Sequence, residues 1–584
     1  MPLSVPAKPP APLIQNVQGR KLRSLNGKWR AIMDPYEVGY FEGFAENRKP
    51  QNPTERIEYD YDTSEELVVP GDWNSQRPEL FWYEGSVWYR LEFEAKSSPG
   101  RRLFVHFGAA NYHAEVYLNG VYLGTHVGGF TPFNFELTEG LRAGKNFLIA
   151  KVDSGRQREG VPTLATDWWN YGGLTRDVSL VEVPATFIRD YSVQLAPGAR
   201  RRIAGYVQLA GARGSEQVTL RIPEAGLSLE LRANEQGLVR FEAELELELW
   251  SPERPRLYRV ELESEHDRVE DRIGFRSIAV RGQDILLNGE SVFLRGISVH
   301  EQAPAREGRA VSVEDARTLL GWARELGCNF VRLAHYPHNE HIVRLADELG
   351  MLLWAEVPVY WAIAWDNPQT LENAKNQLSE LIGRDKNRAS VILWSVGNET
   401  PPSESRLSFM RELVRCARSL DASRPITAAL FKSEVSPDTH VIDDALADSL
   451  DVLGCNEYLG WYDGLPDKAD RAQWLTRHDK PLIMSEFGGD ARHGRHGDKL
   501  TRWSEEYQAH LYERQIAMLE RIPFLRGLTP WILTDFRSPR RPLPGIQDFW
   551  NRKGLISSEG QKKQAFFTLQ AFYRRLALSW RSPL

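Results

Sequence analysis

The sequence predicts a multidomain protein of the β plus α/β class, in which two β-sandwich domains precede a (β/α)8 barrel. The chain of 584 residues is several times longer than one typical domain. Its first part consists of short alternating strands separated by Gly, Asn, Asp and Pro, and this pattern later changes to strands that alternate with helices. The predicted domains are residues 1–185, 186–277 and 278–584.

The first domain has the strand spacing of a β-sandwich. Its segment AEVYLNGVYLG places Asn119 and Gly120 between two alternating runs, and this dipeptide favours a type I′ hairpin turn because both positions tolerate positive φ. The second domain contains further strands, such as RIAGYVQLAG and EQVTLRIPEA, with the length and spacing of a small immunoglobulin-like sandwich. This second block shows no cluster of reactive side chains.

The third domain begins after a hairpin predicted at Asn288 and Gly289. Ser312 is expected to cap a helix that ends at Gly327, and a second helix is expected to end at Gly350. Eight apolar segments are predicted to be parallel strands: FLRGIS, NFVRLA, LLWAEV, VILWSVGN, PITAAL, VLGCNEY, PLIMSE and TPWILTD. Eight such strands with intervening helices indicate a (β/α)8 barrel, whose active site lies at the carboxyl ends of the strands.

Composition and charge exclude several classes of function. A net charge of −6 and a pI near 6.2 provide no general attraction to nucleic acid or to anionic membranes, so neither is an expected partner. The sequence has no apolar run long enough for a transmembrane helix and no visible export signal. We therefore expect a soluble protein that is cytoplasmic, or exported if a signal peptide was removed. The three cysteines lack the spacing of a metal or redox site.

Polar side chains stand where the predicted barrel strands end. Glu399 ends the fourth strand and Glu486 the seventh, so the two carboxyl groups are expected to face each other across the barrel mouth. Retaining glycoside hydrolysis needs such a pair, because one carboxylate attacks the anomeric carbon while the other carboxyl group, which is protonated, donates its proton to the leaving oxygen. Asn398 is expected to reach the sugar 2-OH, and Tyr458 to orient Glu486. Other strands end in His300 and Glu301, His335 and Tyr336, Glu356, Tyr462, and Trp531 and Asp535.

At these residues the sequence resembles glycoside hydrolase family 2, and its β-glucuronidase branch in particular, over nearly the whole chain. SVGNE, which ends at Glu399, is similar to the acid/base segment of the family, and SEFG, which contains Glu486, is similar to its nucleophile segment. The resemblance implies these two catalytic roles. It also implies an N-terminal jelly-roll sugar-binding domain, an immunoglobulin-like domain and a catalytic TIM barrel.

Further segments of the same resemblance imply substrate contacts. AHYP contains His335, and NEYLGWY contains Tyr458 and Tyr462, which such enzymes place in the site. DWWNYGGLTRDVSL resembles the first-domain segment whose aspartate enters the active site, here Asp167. Trp531, in the segment predicted as the eighth strand, completes this set of expected substrate-binding residues.

The segment NRKG resembles the Asn-x-Lys motif that glucuronidases use to bind the substrate carboxylate, which implies that Asn551 and Lys553 hold it. An ammonium beside an amide donor suits a C6 carboxylate, whereas a neutral hexose is expected to leave Lys553 unpaired. The sequence departs from the family pattern at Gln547, where an arginine is usual, and Arg540 or Arg541 can substitute for it. The implied activity is hydrolysis of terminal β-D-glucuronides by double displacement.

Alternative functions follow from the same residues. A β-galactosidase or a β-galacturonidase shares the barrel and both glutamates, and a carbohydrate-binding protein without activity shares the fold. His300 and Glu301 are candidate metal ligands, but we expect them to form a hydrogen-bonded pair that positions the sugar or the nucleophile. No metal or cofactor is implied, because carboxylates and water complete the reaction. The resemblance also implies a carbohydrate substrate and a homo-oligomer, either a dimer or a tetramer.

Overall fold

The N-terminal domain is a jelly-roll sandwich of two antiparallel sheets. The computed structural model describes residues 8–55, 57–96, 98–211 and 215–580. The strands of this domain are β1 (Leu22–Ser24), β2 (Gly27–Asp34), β3 (Glu65–Val69), β4 (Ser86–Ala95), β5 (Arg101–Phe107), β6 (His113–Leu118), β7 (Val121–Val127), β8 (Phe133–Glu136), β9 (Gly144–Asp153) and β10 (Val178–Pro184), with one short helix, α1 (Trp73–Gln76).

The two sheets of this domain have the strand orders β3-β2-β4-β9-β6-β7 and β1-β10-β5-β8. Large apolar side chains such as Trp29, Tyr89 and Phe133 fill the space between them. The predicted hairpin is confirmed between β6 and β7, where Asn119 and Gly120 have φ of 52° and 87°. Asparagine and glycine adopt this left-handed backbone at low cost, which explains the turn.

The second domain is the predicted immunoglobulin-like sandwich. Its strands are β11 (Phe187–Leu195), β12 (Arg202–Ala210), β13 (Gln217–Ile222), β14 (Leu227–Arg232), β15 (Leu238–Glu244), β16 (Tyr258–Ser264) and β17 (Arg268–Ile273). They form sheets of order β11-β12-β15 and β14-β13-β16-β17. Side chains of β17 alternate strictly between exposed and buried, as expected for a strand with one face on a core.

The third domain contains a small sheet followed by the barrel. Its strands are β18 (Ile278–Arg281), β19 (Asp284–Leu287), β20 (Glu290–Ser291), β21 (Leu294–Val299), β22 (Phe330–Leu333), β23 (Leu352–Glu356), β24 (Val391–Asn398), β25 (Ile426–Leu430), β26 (Ser433–Ser436), β27 (Thr439–Ile442), β28 (Leu453–Asn456), β29 (Gln473–Thr476), β30 (Leu482–Glu486), β31 (Leu525–Leu528), β32 (Phe536–Arg537) and β33 (Trp550–Asn551). Its helices are α2 (Val313–Leu326), α3 (Glu340–Leu349), α4 (Pro368–Asp385), α5 (Glu404–Leu420), α6 (Lys468–Arg471), α7 (Glu505–Leu519) and α8 (Gln564–Ser579).

The barrel is closed by eight parallel strands in the order β21-β22-β23-β24-β25-β28-β30-β31. Both predicted helices are confirmed: Ser312 caps α2 in a capping box with Asp315, and Gly327 and Gly350 end α2 and α3 with positive φ. The hairpin at Asn288 is also confirmed, with β19 and β20 on either side. Apolar side chains of this hairpin pack against the first residues of β21, β22 and β23, so the small sheet covers the amino-terminal end of the barrel.

The eighth barrel strand differs from the prediction. Pairing with β30 and β21 involves Leu525–Leu528, whereas the predicted segment TPWILTD follows this strand. Pro530 has no backbone N–H to donate to a ladder, which explains why regular pairing stops before it. Trp531 therefore lies in a loop at the carboxyl end of the barrel. Among the residues that the structure describes, no helix is long and apolar enough to cross a membrane.

The jelly roll packs against the open end of the barrel. Arg176 of the jelly roll and Arg309 of the barrel both pair with the buried carboxylate of Glu301, each at 3.1 Å. Next to these ion pairs, aromatic side chains of both domains form one cluster around Trp168, which includes Tyr336, Tyr360 and Trp531. This interface brings the segment around residue 167 to the mouth of the barrel.

Candidate active site

A cavity opens at the carboxyl end of the barrel and encloses about 880 Å³ including its mouth, a size typical of small-molecule sites. Side chains from the jelly roll and the barrel domain line it: Asp167, His335, Tyr360, Trp361, Glu399, Tyr458, Tyr462, Glu486, Trp531, Arg540, Arg541 and Lys553. Eight of the ten predicted site residues are in this lining. The other two, Asn398 and Asn551, contact lining residues from behind.

Glu486 is the last residue of β30, and hydrogen bonds hold both of its carboxylate oxygens. Arg332 Nη1 donates to Oε1 at 2.9 Å, and the Tyr458 hydroxyl donates to Oε2 at 2.7 Å. Burial raises the pKa of Glu486 to about 8, and the negative charge of Glu399 acts in the same direction. Arg332 and Tyr458 oppose this rise because both favour the ionised form. The carboxylate is thus fixed in orientation and depends on these two donors for its charge.

Arg332, in the middle of β22, connects the residues beneath the cavity. Its guanidinium is fully buried and donates to Glu356, to Glu486 and, at 2.7 Å, to the amide oxygen of Asn398. Burial opposes ionisation of Glu356, but Arg332 and then His335 outweigh it and hold its pKa at about 2. Sequence reasoning missed Arg332, although an arginine inside an otherwise apolar barrel strand is itself a signal, since such a charge is buried only when it is paired.

His335 lies between Glu356 and the cavity. Its Nδ1 is 2.8 Å from Glu356 Oε1, its Nε2 is 3.7 Å from Glu486 Oε1, and its ring stacks on Trp531 with centroids 4.8 Å apart. Burial lowers the pKa of His335 to about 4, so the ring is neutral near neutral pH. Trp531 and His335 together form an apolar and aromatic wall beside Glu486.

Glu399 follows β24 directly and lies across the cavity from Glu486. Its φ of 47° is in the left-handed region, and its backbone N–H is held by the carbonyl of Ala429 at 2.9 Å. The indole N–H of Trp361 donates to Glu399 Oε2 at 2.8 Å. Beside it, the side-chain nitrogen of Asn398 is buried without a hydrogen-bond partner among the described residues. This leaves the amide donor of the residue before Glu399 without a partner in the described part of the chain.

Basic side chains from the segment after β31 meet at the hydroxyl of Tyr462. Lys553 Nζ lies 2.8 Å and Arg541 Nη1 3.2 Å from this oxygen. Lys553 also pairs with Asp490 at 2.7 Å, and Arg541 pairs with Asp167 through two nitrogens. Burial lowers the pKa of Lys553, but Asp490 outweighs burial and raises it. The expectation that Lys553 is unpaired without a substrate carboxylate is therefore wrong, because Asp490 compensates its charge.

Asn551 supports this cationic group without lining the cavity. Its side-chain nitrogen donates to Asp167 at 3.2 Å, and its side-chain oxygen accepts the backbone N–H of Lys553 at 3.1 Å. Gln547 is buried outside the lining, and Arg541 stands in the cavity instead. Asp490 and Trp361 were not foreseen, because neither ends a barrel strand and each acts through a distant partner.

The prediction of a hydrogen-bonded pair between His300 and Glu301 is wrong. His300 Nδ1 approaches the hydroxyl of Tyr336 at 3.2 Å, while Glu301 turns away to pair with Arg176 and Arg309 at the domain interface. Consecutive residues at a strand end point in different directions, which separates the two side chains. Among the described residues there is no group of three His, Cys, Asp or Glu side chains arranged to hold a metal ion.

Comparison with known protein families identifies the chain. The family described as "Glycosyl hydrolases family 2, TIM barrel domain" matches residues 278–578, just over half of the 584 residues. The chain belongs to glycosyl hydrolase family 2. The sugar-binding domain of this family matches residues 22–184, and a further domain of the family matches residues 207–276. This family 2 protein is therefore a glycoside hydrolase with three domains in the order that its structure shows.

Relatives of this family 2 hydrolase include β-glucuronidases from distant organisms. One from Paenibacillus borealis is 29% identical over 94% of this chain and 96% of its own length, and one from Rattus norvegicus is 28% identical over 96% and 91%. A structure of Ruminococcus gnavus β-glucuronidase in complex with D-glucaro-d-lactam superposes with a TM-score of 0.81 at 25% identity, covering 95% of this chain and 98% of that chain. A β-glucuronidase from an uncultured Clostridium superposes with a TM-score of 0.82, with the same identity and coverage.

Proposed function

We propose that this family 2 hydrolase is an exo-acting β-glucuronidase that retains the configuration of the anomeric carbon. The observation that carries the proposal is the convergence of Lys553 and Arg541 on Tyr462, inside the cavity that also holds Glu399 and Glu486. Two cations at one end of a pocket suit a substrate with a carboxylate at that end. The names of the relatives, which are β-glucuronidases, point to the same substrate.

The two glutamates supply the chemistry in two displacements. Glu486 attacks the anomeric carbon to form a glycosyl ester, while Glu399 gives its proton to the leaving oxygen. Glu399 then removes a proton from water as that water attacks the same carbon, which releases the sugar and frees Glu486. The reaction requires Glu486 ionised and Glu399 protonated. Arg332 and Tyr458 favour the ionised form of Glu486 because both donate to its carboxylate.

Asn398 is suited to stabilise the transition state. Its amide oxygen is held by Arg332 at 2.7 Å and by Asn456 at 3.2 Å, so the orientation of the group is fixed. Its unpartnered nitrogen then remains available to the sugar 2-OH, whose hydrogen bonds strengthen as positive charge develops on the ring. In this role the amide loses no internal hydrogen bond when the substrate binds.

The cationic group has donors to spare for a C6 carboxylate. An ammonium has three N–H donors and a guanidinium has five. Lys553 uses N–H donors for Tyr462 and Asp490, and Arg541 uses donors for Asp167 and Tyr462. At least one N–H donor remains free on each side chain. Asp490 and Asp167 therefore act as partners that hold the cations in place, and a uronate adds a further bond to each.

The contacts that Asp167 makes at the cationic end of the cavity also favour terminal sugars as substrates. Asp167 reaches in from the jelly roll and bonds to Ser538 at 2.6 Å, to Arg541 and to Asn551, which are all in the segment after β31. These bonds join two domains at the cationic end of the cavity. An oligosaccharide extended beyond the uronate would collide with these side chains, so cleavage from the non-reducing end is expected.

A panel of 4-nitrophenyl glycosides tests the proposal. The glucuronide should have the highest kcat/KM among the β-glucuronide, β-galacturonide, β-galactoside and β-glucoside. Preference for the galactoside would contradict the uronate assignment, and preference for the galacturonide would correct the configuration at C4. Proton NMR of the first-formed sugar tests retention, since the β-anomer should appear before mutarotation to the α-anomer.

A further inference from the structure

The three cations that line the cavity stand in two different places. Arg541 and Lys553 meet at the Tyr462 hydroxyl, 3.2 Å and 2.8 Å from it. Arg540 instead places its guanidinium over the ring of Trp361, 4.8 Å from the centroid. Arg540 and Arg541 are neighbours in sequence but serve separate groups of residues. The cavity thus has one cationic end at Tyr462 and a second cation at Trp361.

Trp361 connects this second cation to the acid/base glutamate. Its indole N–H donates to Glu399 Oε2 at 2.8 Å. In the proposed reaction Glu399 protonates the leaving oxygen, so side chains around Glu399 face the leaving group and not the C6 end of the sugar. Arg540 therefore stands beside the path of the aglycone.

Arg540 also differs from its neighbours in its charge balance. Arg541 has Asp167 and Lys553 has Asp490 as a carboxylate partner, whereas Arg540 has no carboxylate within 4 Å in the described part of the chain. The Arg540 side chain is exposed, and its backbone N–H is fixed by Ser538 Oγ at 3.2 Å. An exposed guanidinium held on an aromatic face, with its charge uncompensated, is suited to an anionic group of a bound molecule.

We propose that Arg540 and Trp361 form a leaving-group subsite that favours aglycones bearing a negative charge, such as a carboxylate. The proposal rests on the glycosidase function above and adds the chemical class of the leaving group. The guanidinium would bind the anion, while Trp361 supports the guanidinium with its ring and keeps Glu399 in place with its indole N–H. Arg540 then acts on specificity and takes no part in bond breaking.

Two matched substrates test this subsite: the 4-carboxyphenyl and the 4-carbamoylphenyl β-D-glucuronides, which have the same shape and differ in charge. The quantity measured is the ratio of kcat/KM for the acid to that for the amide. In Arg540→Gln this ratio should fall by roughly three- to fivefold, the scale of one partly exposed charge pair. In Arg540→Lys the ratio should fall less than in Arg540→Gln. Added salt should lower the ratio in the wild type but not in Arg540→Gln.

Arg574→Gln is the matched control, because Arg574 is exposed on α8, away from the cavity, and the change removes the same charge. An unchanged ratio in Arg540→Gln would overturn the proposal. Equal losses on both substrates would also overturn it, since Arg540 would then hold the carboxylate of the sugar. If the wild type hydrolyses neither glucuronide, the proposed function is contradicted and not the subsite. The 4-carboxyphenyl and 4-carbamoylphenyl glycosides of the sugar that the enzyme does cleave then test the subsite alone.

Discussion

Tyr458 donates its hydroxyl to Glu486 Oε2 at 2.7 Å, on the side of the carboxylate opposite to the 2.9 Å bond from Arg332. One donor is neutral and the other is a buried cation, and together they occupy both oxygens. Burial favours the protonated form of Glu486, so these two bonds decide how much of the carboxylate is ionised at a given pH. The pH dependence of the activity is therefore expected to depend on this balance.

Replacement of Tyr458 by Phe should move the acidic limb of the pH profile. The hydroxyl lowers the pKa of Glu486, so its loss raises that pKa. Because the reaction needs Glu486 ionised, kcat/KM falls as the pH falls through this pKa, and the limb should move to higher pH. The pH dependence of kcat/KM on 4-nitrophenyl glucuronide measures the shift. A limb that stays in place, or moves to lower pH, would contradict the role of Tyr458.

Glu486→Gln should lower kcat by at least about a thousandfold, because an amide is not a nucleophile for the anomeric carbon. The amide has nearly the same shape as the carboxyl group, so circular dichroism and the thermal unfolding midpoint should remain close to those of the wild type. Glu513→Gln, on the exposed side of α7, is the matched control and should keep full activity. Turnover at the wild-type rate in Glu486→Gln would refute the assignment.

Lys553→Ala should lower kcat/KM for the glucuronide by at least about tenfold, since a buried charge that loses its partner costs on the order of 2 kcal/mol. The same variant also leaves Asp490 without its cation, so its thermal midpoint should fall. The loss on the β-glucoside should be much smaller, and the ratio between the two substrates separates binding from stability. Equal losses on both substrates would exclude a carboxylate-specific role. Lys145→Ala, at an exposed position of the jelly roll, is the control.

Trp361→Phe keeps an aromatic ring but removes the N–H that holds Glu399 at 2.8 Å. The variant should lose about tenfold in kcat/KM on phenyl glucuronide, the scale of one hydrogen bond to an ionisable group. The loss on 4-nitrophenyl glucuronide should be smaller, because a good leaving group needs less protonation. Identical losses on both substrates would show that Trp361 acts on binding and not through Glu399.

Local sequence patterns determined the fold and the ends of the strands that carry both glutamates, whereas the eighth barrel strand was placed too late in the chain. The Asn119 turn, the Ser312 cap and the glycines after α2 and α3 depend on the conformational preferences of neighbouring residues, and the structure contains each of them. Strand order in a (β/α)8 barrel follows chain order. The positions of Glu399 and Glu486 at one rim were therefore predictable without any knowledge of distant contacts.

Only the tertiary structure decided which charges meet. The Asp167 carboxylate bonds Arg541 from 374 residues away, and no periodicity or spacing connects the two. The pairing of Lys553 with Asp490 overturned an expectation based on Lys553 alone. Arg332 and Trp361 likewise act through partners on other strands and loops. The physical reason is that the pairing of a buried charge depends on every segment packed around it, whereas a sequence pattern reports only the preferences of a residue and its neighbours along the chain.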